Sequence, residues 1–191
     1  MKARRTQFKA GDLVTARKLE SITGEQVAVP AAAGLVHLQF SRFAGCPICN
    51  LHLRSIAQRN DEIEAAGVHE VVVFHSTADK LRRHEDDLPF DVIADPDKRL
   101  YQEFGVERSP RALSPRVWGT MARAAAVSFG ATLRRRKPMA PLAPHGGLFG
   151  LPADLLIAPS GRVVAIKYGT HANDQWSVDE LLQQASAAHA R

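Results

Sequence analysis

The sequence predicts an α/β fold, a central mixed β-sheet flanked by helices. Three observations predict it. Short β-branched runs such as Val71-Val72-Val73-Phe74 alternate with stretches of helical periodicity. The only two cysteines of the 191 residues, Cys46 and Cys49, sit where an apolar run passes into a helical pattern. Two further β-rich runs near the C-terminus are joined by Pro159-Ser160-Gly161, the mark of an antiparallel pair.

The elements follow in order. Lys18 to Ile22 and Gln26 to Val29 flank Thr23-Gly24-Glu25 and read as an N-terminal β-hairpin. Leu35 to Phe40 is the first buried strand. Asn50 to Glu64 reads as a helix, with Leu51, Leu53, Ile56 and Ile63 recurring at helical steps and Gly67 as its stop. Val68 to His75 reads as a strand buried on both faces. Thr77 to Arg83 is a short polar helix, and Phe90 to Ala94 another strand. Asp95 then caps a helix with Pro96 at its first position, ending at Phe104-Gly105. Ala153 to Ala158 and Val163 to Tyr168 form the late hairpin. Ser177-x-x-Glu180 is a capping box that opens a last helix running towards His189.

Residues 107–150 interrupt this alternation. Trp118, Met121, Ala122, Ala125, Phe129 and Leu133 make one apolar stripe over 115–137, and Arg134 to Lys137 place cations where a helix C-terminus favours them. Pro138 to Gly150 reads as a loop. The expectation is a single domain over 1–191, with a core at about 18–106 and 151–188 and a basic helical insertion at 107–150.

The charge is equally uneven. The net charge is +5, yet 107–147 alone holds eight basic residues against one acid, so the rest of the chain is net negative. With only Trp118 and Phe129 among those cations, the pattern of a nucleic-acid groove is missing, and no nucleic-acid partner is expected. The insertion reads instead as a helix packed on its own domain with solvated arginines, with a homodimer contact as the next expectation. The basic first residues are followed by no apolar h-region, and no apolar run is long enough to span a bilayer. Two cysteines two residues apart are no disulfide framework, so a cytoplasmic, reducing compartment is expected.

Cys46-Pro47-Ile48-Cys49 carries the chemistry. At a strand-to-helix junction, unpaired N–H groups and the positive end of the helix dipole favour the thiolate of the first cysteine. The second lies within one helical turn and can close a disulfide. Pro47 suits the start of a helix, where its missing N–H would be unpaired in any case.

The order β-hairpin, β-CxxC-α, β-α, β-α, insertion, β-β, α resembles the thioredoxin fold. Within it the chain resembles the peroxiredoxin-like branch, the alkyl hydroperoxide reductase and thiol-specific antioxidant group. Four segments carry the resemblance: Phe40 to Cys49; Leu88 to Pro96 with Tyr101-x-x-Phe-Gly-Val106; Leu151 to Gly161; and Tyr168-Gly169. The resemblance implies a thiol-dependent oxidoreductase reducing disulfides or peroxides through a reversible Cys46–Cys49 disulfide. An external thiol, thioredoxin or glutathione, would restore it, and no organic cofactor or metal is implied. It also implies a cis peptide bond at Leu151–Pro152, against the CxxC turn. Set against the Pro-x-x-x-Thr-x-x-Cys arrangement of peroxiredoxins, Cys49 takes the peroxidatic position, Cys46 the Thr slot and Arg42 the Pro slot. The later-strand arginine would fall near Pro152 and is missing. These departures favour dithiol–disulfide exchange over efficient peroxide reduction and leave open which cysteine attacks.

Other readings stay open. The cysteines are also compatible with a structural pair in the core, or with zinc bound by Cys46, Cys49 and His52 and closed by another histidine. A non-catalytic thioredoxin-like scaffold that docks a partner through the insertion is the alternative from another functional class. His37 and His75 read as core or edge histidines, and Asp154 as a strand residue facing solvent rather than a proton-shuttling acid.

Overall fold

The computed structural model describes residues 7–106, 109, 119, 147 and 149–190. Its β-branched runs pair as the sequence predicts. β1 (Arg17–Glu20) and β2 (Gln26–Val29) form a separate antiparallel hairpin. A five-stranded sheet then runs in the order β5-β4-β3-β6-β7, built from β3 (Leu35–Phe40), β4 (Val68–Phe74), β5 (Asp91–Ala94), β6 (Ala153–Ile157) and β7 (Val163–Tyr168). β3, β4 and β5 are mutually parallel, whereas β6 runs antiparallel to β3 and β7 antiparallel to β6. The sheet is therefore mixed, and β3 is its central strand.

Alternation along β3 divides the core. Val36, Leu38 and Phe40 meet Val71, Val73, Leu155 and Ile157 on one face, under the hairpin and α4 (Arg99–Glu103). Leu35 on the other face packs with Ile56, Ile63, Trp176, Leu181 and Ala185. These come from α1 (Pro47–Gln58), α2 (Asn60–Ala65), the segment after β7, and α5 (Val178–His189). α3 (Ala78–His84) adds Leu81 to a third cluster with Leu53, Val72 and Phe74.

Two helix starts differ from expectation. The helix read over 50–64 begins at Pro47 and divides at Arg59, whose backbone leaves the helical region (φ −119°, ψ 23°) and turns its N–H back to Ile56 O at 3.0 Å. The helix expected at Pro96 begins at Arg99 instead. Asp95 still serves it, because its carboxylate accepts from the N–H groups of Arg99 and Leu100 at 2.9 Å and of Tyr101 at 3.3 Å. Pro96 lies in the intervening turn, where Lys98 adopts a left-handed conformation (φ 58°). The capping box at Ser177 and Glu180 is present in both directions. The helix expected over 115–137, and the homodimer contact assigned to 107–150, fall almost wholly outside the described residues. Among the described residues, no helix is long and apolar enough to cross a membrane.

A polar strip runs through the helix-covered face of the sheet. His37 Nδ1 lies 2.7 Å from Glu70 Oε2, and its Nε2 is 3.3 Å from Asp154 Oδ1, an ion contact without hydrogen-bond alignment. None of the three is more than 2% exposed. Asp154 thus corrects the solvent-facing reading. It sits on a strand between β3 and β7, and the N–H of Trp176 closes over its Oδ2 at 3.2 Å. Burial alone would strip the His37 proton. The flanking Glu70 and Asp154 carboxylates outweigh that and hold it up to about 10.

His37→Gln leaves two buried carboxylates without their cation, and the expected loss of stability at neutral pH is about 3–5 kcal/mol, read from urea unfolding. The folded-state value lies above the free value of 6.5, so this contribution is full below that pH and fades as pH rises towards 10. The stability advantage of the wild type over His37→Gln should shrink across that window; a constant difference would contradict the assignment.

Candidate functional site

The cysteines sit where β3 hands over to α1. Phe40 ends the central strand, Gly45 turns the chain with φ 74°, and Cys46 becomes the N-cap of α1 with extended backbone (φ −61°, ψ 118°). Pro47 occupies the first turn, where it forfeits no helical hydrogen bond. The Cys46 sulfur therefore faces the open end of the helix and accepts from the N–H of Cys49 at 3.5 Å. Arg42 reaches back along the same loop and places Nη1 3.6 Å from that sulfur, with its guanidinium over the Phe43 ring. The direction of this arginine, undetermined from sequence, is towards Cys46.

The two thiols are unequal. Both are free, and both are 1% exposed. Burial disfavours the Cys46 thiolate. The Cys49 thiol, the Arg42 charge and the N–H groups of Cys49 and Ile48 more than compensate, bringing it from 9.0 down to about 7. Burial and the neighbouring Cys46 push Cys49 well up instead, against smaller pulls from Arg42 and Ser41. Such a pair holds one proton on Cys49 and offers one nucleophile at Cys46.

The surrounding shell comes from several elements. Tyr101 directs its hydroxyl at the carbonyl oxygens of Ser41 (2.7 Å) and Val73 (2.8 Å), fastening α4 to the loop. The His75 ring lies between Tyr101 and Phe43, and the backbone N–H of His75 donates to Arg42 O at 3.1 Å. Glu85 is 3% exposed and accepts from the N–H of Gly45 at 2.9 Å. Asn50, with its amide nitrogen turned towards Glu85, donates to both carboxylate oxygens at 3.1 Å. Sequence reasoning missed Tyr101, Glu85 and Ser41 as parts of this site. Tyr101 belonged to a quoted segment, but nothing in the acidic run Glu85-Asp86-Asp87 marks which carboxylate turns inward.

Pro152 lies beside the loop after β7: its carbonyl accepts from Gly169 N at 2.9 Å. The expected cis bond is absent there. Among the described residues the cis peptide bond is at Val29–Pro30, and Leu151–Pro152 keeps the trans form that most X-Pro bonds adopt. His52, named for zinc, is bonded to Gln39 at 3.0 Å. Burial, with like charge from His37 and Lys167, outweighs the pull of Asp154 and holds it down at about 4, so it is neutral. Among the described residues no group of three or more His, Cys, Asp or Glu is arranged for a metal ion. A cavity of about 720 Å³ lies at the β5 edge between Ser21, Asn60 and Phe90, and neither cysteine lines it.

Comparison with known proteins bears on the fold and the family. Peroxidoxin BcpB from Mycobacterium tuberculosis superposes with a TM-score of 0.67 at 16% identity, covering 95% of this chain and 98% of that one. AhpC of Mycobacterium bovis gives 0.64 at 13% identity, covering 97% and 95%. A Chlorobium tepidum protein provisionally identified as the thiol:disulfide interchange protein DsbE gives 0.53 at 19%, covering 95% and 98%. At such identities these likenesses establish the thioredoxin-like fold. A search of curated protein sequences finds no match. The family model for AhpC/TSA matches residues 10–166, which takes in β1 to β6, most of β7 and both cysteines, and the chain therefore belongs to the AhpC/TSA family.

Proposed function

We propose that this protein is a thiol oxidoreductase in which Cys46 attacks and Cys49 resolves. The observation that carries this reading is the asymmetry of the pair: Arg42 and the α1 N–H groups converge on Cys46, while Cys49 retains its proton. Family membership supports the class of chemistry.

With a disulfide substrate, the Cys46 thiolate attacks one sulfur, the substrate S–S bond breaks, and the other half leaves as a thiolate. Cys49 then gives its proton to solvent and attacks the Cys46 sulfur. The mixed disulfide breaks, the second half leaves as a thiolate, and the dithiol, now a Cys46–Cys49 disulfide, has given up the two electrons that the substrate gained. An external dithiol, or two glutathiones, returns them. Arg42 steadies the attacking thiolate and is its positioning residue. Pro152 supports the opposite wall through Gly169.

A peroxide fits the same machinery. The thiolate attacks one oxygen, an alcohol or water leaves, and the Cys46 sulfenic acid condenses with Cys49 to release water. The peroxidatic frame would instead require Cys49 as nucleophile, and its raised thiol argues against that. Disulfide exchange is therefore the preferred activity.

Two experiments test the reading. Cys49→Ser should accumulate a mixed disulfide with a small disulfide substrate, visible as added mass, whereas Cys46→Ser should accumulate none. Stable adducts on Cys46→Ser alone would reverse the roles. Separately, the alkylation rate of Cys46 in the Cys49→Ser background should climb with pH, since the thiolate is the reactive form. Arg42→Met should shift that profile towards higher pH, by about 0.7 unit if its charge supplies ~1 kcal/mol; an unmoved profile would remove Arg42 from the mechanism.

A further inference from the structure

The two reactive thiols are sealed from solvent, and the loop between β7 and α5 takes part in the seal. Ala172, fully buried, joins Phe43, Cys46, Ile48 and Cys49 in one apolar cluster. The loop has no regular secondary structure between Gly169 and Trp176, so its position depends on a few polar ties. Its first end is held by Gly169 N on Pro152 O. Its far end is held by Trp176 N on Asp154 and by Lys167 Nζ on Gln175 O at 3.1 Å.

The middle rests on Asp174. Its carboxylate accepts from Thr170 N at 2.8 Å and from the Thr170 hydroxyl at 2.7 Å, and it pairs with Lys167 Nζ at 3.1 Å. Its own N–H donates to His171 O at 3.1 Å, closing the loop around Ala172. Two features favour opening. Gln175, 9% exposed, buries an amide nitrogen that meets no acceptor. Gly169 and Thr170 also line a cavity of about 220 Å³ beside Pro152, which leaves room at the hinge end.

We propose that the loop Gly169–Gln175 is a size-selective gate over the dithiol, with Ala172 as the seal and Asp174 as the latch. The proposal rests on the dithiol reading above and adds the substrate class: small oxidants need only slight loosening of the loop to reach the sulfurs, while a bulky disulfide reacts only from the fully open one. Asp174 and Ala172 are then specificity-determining residues that take no part in bond making. Reaction with a bulky reagent follows the open population, so removing charge-assisted bonds that hold the closed form should raise that rate by about tenfold.

The test compares two thiol reagents on the full chain: the bulky aromatic disulfide DTNB and the small methyl methanethiosulfonate. Asp174→Ala, which removes the latch, should accelerate DTNB about tenfold, and Ala172→Gly, which thins the seal and keeps the latch, about 2–3-fold. The small reagent should change far less. Equal DTNB rates in folded wild type and both variants would overturn the gate, as would equal acceleration of both reagents. If Asp174→Ala does not fold, Ala172→Gly decides by the same criteria. Failure of the dithiol reading is recognised separately. It would show as one nitrothiobenzoate released per chain and a lasting mixed disulfide, in place of two released and a Cys46–Cys49 bond.

Discussion

The structure turns on the field around one sulfur atom. A thiol buried to this degree is normally inert, because a low dielectric penalises its anion. At Cys46 the N–H groups at the mouth of α1, the proton on Cys49 and the Arg42 guanidinium all point at the same atom and reverse that penalty. None is remarkable alone. Their convergence requires the central strand, the Gly45 turn and the proline at the first helical turn to stand in register.

The rest of the fold holds that register. β3 is flanked by β4 and β6, so the strand leading to Cys46 is fixed from both sides. Tyr101 and Glu85 arrive from opposite directions and fasten the loop at Ser41 and Gly45. Beneath α1 lies the buried ionic strip Glu70–His37–Asp154. Replacing such a strip with apolar residues is often neutral or stabilising, so its presence is weak evidence for stability as such. What it does here is tie three strands and the segment leading to α5 at one depth in the core, where a one-residue slip would leave charges unpaired.

Much of this was legible in the sequence, for identifiable reasons. The strands announce themselves by β-branched runs, the last helix by its Ser177–Glu180 box, and the site by cysteines placed at a strand-to-helix change. Arg42 was named from its slot in the motif. What escaped was set by long-range geometry. Asp154 looked like a surface residue because local pattern cannot show that α5 closes over that strand. Glu85 lies forty residues from the Gly45 N–H it receives, and Ala172 has no chemistry of its own to draw attention. The helix at Asp95 was misjudged by three residues because the Asp-Pro pair is equally suited to the turn that precedes a helix. The cis bond at Pro152 was carried over from the resemblance, and this chain does not keep it.

The central claim is that Cys46 and Cys49 interconvert between dithiol and intramolecular disulfide. Equilibrating the purified protein in glutathione buffers of graded ratio, then quenching with acid and weighing the intact chain, tests it most directly. The account predicts a single reversible transition in which the monomer loses two hydrogens and gains no glutathione at equilibrium. A chain that stays fully reduced in oxidised glutathione, or ends as a stable glutathione adduct, would contradict it.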